Sequence, residues 1–143
     1  MSNGRSPLED VVTPTGSVEG VALWHAISEF IANAEAAGDS ETFNELALRV
    51  FRFQFGGCAL YKTWCGHLGW SSSDVSGLSR WQDIPTMPVE AFRWGKVQTE
   101  GIEERATPLV FRTSGTTGAQ RGTHRVLTPE LYRTSATVGC SRH

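Results

Sequence analysis

No apolar run in this 143-residue chain is long enough to cross a bilayer. The opening Met1-Ser2-Asn3-Gly4-Arg5-Ser6-Pro7 also lacks the apolar core of a signal peptide, so the expectation is a cytoplasmic protein with no membrane span. Charge of one sign is lacking too. The 13 Lys and Arg against 15 Asp and Glu leave a formal net charge of −2, which offers nothing to a nucleic acid or an anionic surface. Cysteine is sparse and odd in number: Cys58, Cys65 and Cys140 argue against a disulfide framework. Cys65 lies near His67 and Cys140 near His143, but neither pair has a second pair at zinc spacing, and Cys58 is too far from Cys65 for a knuckle. Cys58 and Cys65 therefore read as buried thiols, and no metal site is expected. There is no internal repeat.

What remains is ordinary for one soluble domain: 39% hydrophobic and 20% charged residues. Residues 1–16 mix Pro, Gly, Ser and acids without periodicity and read as a flexible lead-in to one unit over 17–143. With Ser17 as N-cap, Leu23, Ile27, Phe30, Ile31 and Ala34 trace one apolar helix face that Gly38 closes. Asp39 and Ser40 cap a second helix, which places Phe43, Leu46, Ala47, Val50, Phe51 and Gln54 on one stripe. Leu48, Phe53 and Phe55 lie off it, so this helix is expected to contact neighbours on more than one side before Gly56-Gly57. A third, shorter helix carries Leu60, Tyr61, Trp64, Cys65 and Leu68 up to Gly69, an aromatic stripe that reads as core packing.

Beyond a cap or turn cluster at Ser71-Ser72-Ser73-Asp74, a short helix is expected through Leu78-Ser79-Arg80-Trp81-Gln82. Ile84 precedes Pro85 and must be extended, and Pro85-Thr86-Met87-Pro88 continues as a rigid connector. Val89-Glu90-Ala91-Phe92 forms a helical turn behind Pro88, and Glu90, Arg93 and Lys96 read as solvated charges. Residues 101–105 read as a polar turn. The tail offers Thr128-Pro129-Glu130 as a helix start, with Leu131 and Tyr132 on that helix and no packed continuation at residues 139–143.

The chemistry is concentrated in Leu109-Val110-Phe111-Arg112-Thr113-Ser114-Gly115-Thr116-Thr117-Gly118-Ala119-Gln120-Arg121-Gly122. The first residues read as a buried strand. The rest is a loop of hydroxyls, glycines and a cation, after which Thr123-His124-Arg125-Val126-Leu127 reads as a second strand. Glycine permits a close main-chain approach, successive amides converge on an anion, and Ser, Thr and Arg add donors and positive charge. Phosphate is the expected guest. The loop is not of the Walker A type, because Gln120-Arg121-Gly122 stands where Gly-Lys-Ser/Thr is needed.

Thr113-Ser114-Gly115-Thr116-Thr117-Gly118 resembles the phosphate-binding signature of the adenylate-forming (AMP-producing) ligases. Gln120 replaces the usual Pro, and Arg121 stands where that superfamily has Lys. Taken with Ile84-Pro85-Thr86-Met87-Pro88-Val89-Glu90-Ala91-Phe92-Arg93, the chain is similar to the acyl-protein synthetase (LuxE-like) branch, near the phenylacetate–CoA ligases. The resemblance implies ATP with Mg2+, activation of a carboxylic acid, a fatty acid in this branch, and acyl transfer to a protein thiol in the setting of bioluminescence-related fatty-acid reduction. It implies that Thr113, Ser114, Gly115, Thr116, Thr117, Gly118 and Arg121 surround the ATP phosphates, with no catalytic residue assigned. The adenine segment, the ribose acid and the catalytic Lys of the family have no place after Tyr132.

The fold so implied is α/β: a helical amino-terminal subdomain followed by the first strands of an incomplete ligase large domain, its sheet mixed and its apolar strand faces exposed. The partners implied are an acyl-acceptor protein and a polypeptide supplying the missing part. Two other readings stand beside it, a phosphate- or nucleotide-binding module without chemistry and an inactive remnant.

Overall fold

The computed structural model describes residues 17–33, 40–99, 109–113, 121–126 and 129–141. Its helices are α1 (Val18–Ala32), α2 (Ser40–Gly57), α3 (Ala59–His67), α4 (Ser72–Gly77), α5 (Ala91–Trp94) and α6 (Glu130–Ser141), with a 3-10 turn at Trp81–Asp83. Strands β1 (Leu109–Arg112) and β2 (Thr123–Val126) pair antiparallel as a two-stranded sheet. The architecture is broadly α/β and mostly helical.

Ser17 caps α1 as its sequence position requires, its hydroxyl accepting from the Gly20 amide over 3.1 Å. The helix then stops at Ala32 and not at Gly38. Asn33 leaves it in extended geometry, as suits a residue whose side chain competes for backbone partners. Residues 34–39, with Ala34, Gly38 and Asp39, lie outside the described residues. On α2 the deepest side chains are Leu48, Phe51 and Phe55, two of which lie off the stripe traced from periodicity. The reason is that α2 is flanked by α1, α3 and the 3-10 turn, so the most enclosed face is not the most regularly apolar one.

The core is made by Phe51, Phe55, Cys58, Tyr61, Cys65 and Val75, with Leu60, Trp64, Trp70, Leu78, Ile84, Met87 and Val97 packed around them. Phe51 meets Tyr61 and Trp70 edge to face at ring separations of 6.0 and 6.2 Å, so the aromatic stripe of α3 is indeed packing. Trp70 reaches this position because α3 ends in a Schellman turn. Trp70 N–H donates to Cys65 C=O and Gly69 N–H to Gly66 C=O, both at 3.0 Å, with Gly69 at φ +85°.

The hydroxyl cluster caps α4: Ser71 accepts from the Asp74 amide, while the Asp74 carboxylate accepts from the Ser71 amide at 2.7 Å. This box opens a short helix at Ser72–Gly77 and leaves Leu78 extended, and of the helix expected through Leu78-Ser79-Arg80-Trp81-Gln82 there is the 3-10 turn at Trp81–Asp83. The connector is held by α3: Tyr61 donates its hydroxyl to Pro85 C=O over 2.6 Å, and Trp64 donates its indole N–H to Thr86 C=O over 3.0 Å. The helical turn behind Pro88 is α5. At the other end, α6 runs through Gly139 to Ser141 and packs against α1, while Gly139 and Cys140 themselves stay exposed. Among the described residues, no helix is long and apolar enough to cross a membrane.

Candidate phosphate-binding hairpin

The residues around the expected loop form a hairpin. Its register pairs Leu109 with Val126, Val110 with Arg125, Phe111 with His124 and Arg112 with Thr123. Directly paired residues share a sheet face. Leu109, Phe111, His124 and Val126 therefore lie on one side, and Val110, Arg112, Thr123 and Arg125 on the other. The first side meets α5, where Phe92 contacts the His124 ring at 5.3 Å. The second presents two exposed cations, Arg112 and Arg125, at diagonal positions.

β1 is not the buried strand that its composition suggests. Leu109, Val110 and Phe111 are 43%, 45% and 53% exposed. Among the described residues, a two-stranded ribbon covered by one turn of helix cannot enclose a strand on both faces.

At the open end of the hairpin, Thr113 and Gly122 meet. The Thr113 amide donates to Gly122 C=O over 3.0 Å, and the Gly122 amide donates to Thr113 Oγ1 over 3.0 Å. Gly122 is buried there. A Cβ on it would lie 3.3 Å from both Thr113 Cγ2 and Thr113 Oγ1, and 3.6 Å from Arg93 Cγ. A side chain would be tight against Thr113, so glycine is the residue that lets the two ends come together.

Of the seven residues expected around phosphate, Thr113 and Arg121 are described, and they flank the closed base with Arg121 exposed. Ser114, Gly115, Thr116, Thr117 and Gly118 lie outside the described residues, as do residues 101–105 and Thr128. Arg93 was legible in the sequence only as a surface charge. Its position beside Gly122 follows from α5 docking on β2. Arg112 and Arg125 sharing a face is a matter of register, which no local pattern states.

Acid–base chemistry elsewhere is muted by packing. Burial pushes the Tyr61 hydroxyl well above the usual tyrosine range, with Cys65 beside it adding to the effect. Burial likewise raises the Cys65 thiol. Cys58 and Cys65 are both buried free thiols, and Cys140 is an exposed one. Among the described residues, no group of three or more His, Cys, Asp or Glu is placed to hold a metal ion. No family model, curated protein or solved structure matches the chain.

Proposed function

We propose that this chain is the amino-terminal part of an adenylate-forming acid–thiol ligase of the acyl-protein synthetase kind, in which the β1–β2 hairpin holds the phosphates of ATP. The observation that carries this reading is the hairpin base: a glycine whose Cβ would be tight against Thr113, a hydroxyl and an amide drawn together, and Arg121 alongside. Such a base holds the two ends of the loop together.

In the reaction, a carboxylate oxygen bonds to the α-phosphorus of ATP, the α–β phosphoanhydride breaks and pyrophosphate leaves. A thiolate sulfur then attacks the acyl carbon and AMP leaves. Magnesium accompanies the nucleotide and shares its charge. This chain's part is positioning and charge: Thr113, Ser114, Thr116 and Thr117 donate hydrogen bonds, Gly115 and Gly118 admit the main chain to the phosphates, and Arg121 neutralises them. Helices α1 to α5 serve as the amino-terminal subdomain. No residue of 1–143 is assigned to the adenine, the ribose or the catalytic Lys role, and the site is cytoplasmic.

Isothermal titration with magnesium-ATP tests the reading. The wild-type chain is expected to bind, and Arg121→Ala to weaken binding about 10- to 100-fold, the loss of one charge-assisted contact. Gly115→Val is expected to abolish it. A folded wild-type chain that takes up no nucleotide would overturn the proposal. Binding without acid-dependent pyrophosphate exchange, even with the completing polypeptide present, would favour the module that holds phosphate and does no chemistry.

A further inference from the structure

Residues 106–129 hold three arginines and no aspartate or glutamate, while the rest of the chain is net acidic. The strand register brings two of these cations together. Arg112 and Arg125 share the sheet face turned away from α5, with Thr123 opposite Arg112 and Val110 opposite Arg125. Both arginines are exposed, and among the described residues neither has an ion pair. Arg80, Arg133 and Arg52 are by contrast engaged: the first two pair with Asp83 and Glu130, and Arg52 donates to Leu78 C=O. Like charges at neighbouring positions of a sheet repel, so the ribbon itself gains nothing from this pair.

We propose that this face docks an extended acidic segment of a partner protein, with one carboxylate on Arg112 and a second, two residues along, on Arg125. The spacing matches. Diagonal neighbours on a sheet face stand about 7–8 Å apart, and alternate residues of an extended chain point the same way about 6.5–7 Å apart. A guanidinium takes a carboxylate through two parallel N–H bonds, which fixes orientation as well as supplying charge. Between the two cations, exposed Val110 offers apolar contact and half-buried Thr123 a hydroxyl, the mixture that a protein interface uses. A small molecule suits the face less, because its sites are concave and this one is an open ribbon. A nucleic acid suits it less too: two cations neutralise few phosphates, and the net acidity of the remaining chain repels a long polyanion. The inference does not rest on the nucleotide reading, in which neither Arg112 nor Arg125 has a part.

The test is an NMR titration of the full chain with a capped peptide of alternating Glu and Ser, and with the same peptide carrying Gln for Glu. The Glu peptide is expected to bind saturably and to shift the Arg112, Thr123 and Arg125 amides, and the Gln peptide to leave them in place. Arg112→Glu and Arg125→Glu are each expected to weaken the Glu peptide about tenfold or more, and raising salt from about 0.05 to about 0.5 M to do the same. Arg112→Gln and Arg125→Gln, which remove charge without reversing it, are expected to weaken it in the same direction. Arg80→Gln, on the helical half, is expected to stay within about twofold of wild type. Equal urea midpoints check that the variants are folded, as substitution at exposed positions predicts. No saturable binding by the wild-type chain overturns the proposal, and so does an Arg80→Gln loss as large as that of the hairpin variants. A single-stranded oligonucleotide that binds the same face more tightly than the peptide overturns the choice of an acidic protein, and self-association lost in Arg112→Glu gives the face to a second copy instead. Uptake of magnesium-ATP, or its failure, bears on the nucleotide reading alone.

Discussion

The hydroxyl of Tyr61 donates to the carbonyl of Pro85 across 2.6 Å, joining α3 to the connector that leads to α5 and the hairpin. Both residues are buried. Removing the hydroxyl leaves a buried acceptor without its donor, so Tyr61→Phe is expected to cost about 1–3 kcal/mol in urea unfolding. A loss indistinguishable from zero would mean that the connector is held by packing alone.

Alkaline pH probes the same cluster. The Tyr61 and Cys65 groups are raised in the folded chain by burial. A raised group contributes stability that is complete below its unfolded value and is lost as pH rises through the folded one. Stability is therefore expected to fall first above the ordinary thiol range and further above about pH 10, where an unfolded tyrosine ionises. Absorbance at the tyrosinate band should show one tyrosine that titrates only as the chain unfolds.

The capping box of α4 responds at the other end of the scale. Asp74 is held below the usual aspartate value by hydrogen bonds from the Ser71 side chain and then its amide. A depressed carboxyl contributes stability present above its unfolded value and lost as pH falls through the folded one. Acidification below about pH 4 is expected to loosen α4, and Ser71→Ala is expected to cost about 0.5–2 kcal/mol at neutral pH. An Asp74 carboxyl whose NMR titration matches an unfolded peptide would remove the basis for both.

Thiol chemistry separates surface from core. Cys140 is exposed, whereas Cys58 and Cys65 are buried. Iodoacetamide under native conditions is expected to modify Cys140 alone, with Cys58 and Cys65 reacting at the rate of unfolding. Equal native labelling of all three, read by mass spectrometry, would contradict the packing of α3.

Much of the helical half was legible from local chemistry. The Ser17 cap, the end of α2 at Gly57, the aromatic stripe of α3 and the extended Ile84 all follow from neighbours a few residues apart, which is where caps, periodicity and proline act. The burial of Leu48 and Phe55 off the α2 stripe agrees with the expectation of neighbours on more than one side. The misjudged place is one where distant neighbours decide: β1 reads as buried, but among the described residues it pairs with β2 alone and is exposed. At the candidate site, Thr113 and Arg121 could be named from residue type, but the Thr113–Gly122 contact and Arg93 beside it depend on strand register and helix docking. Neither leaves a mark in a short window of sequence.

Every member of the core cluster, from Phe51 to Val97, precedes β1 in the chain. As the polypeptide leaves the ribosome from its amino end, that cluster has all of its parts before the first residue of the hairpin is made. The helical half is thus available as a finished surface on which α5 and then β2 can settle.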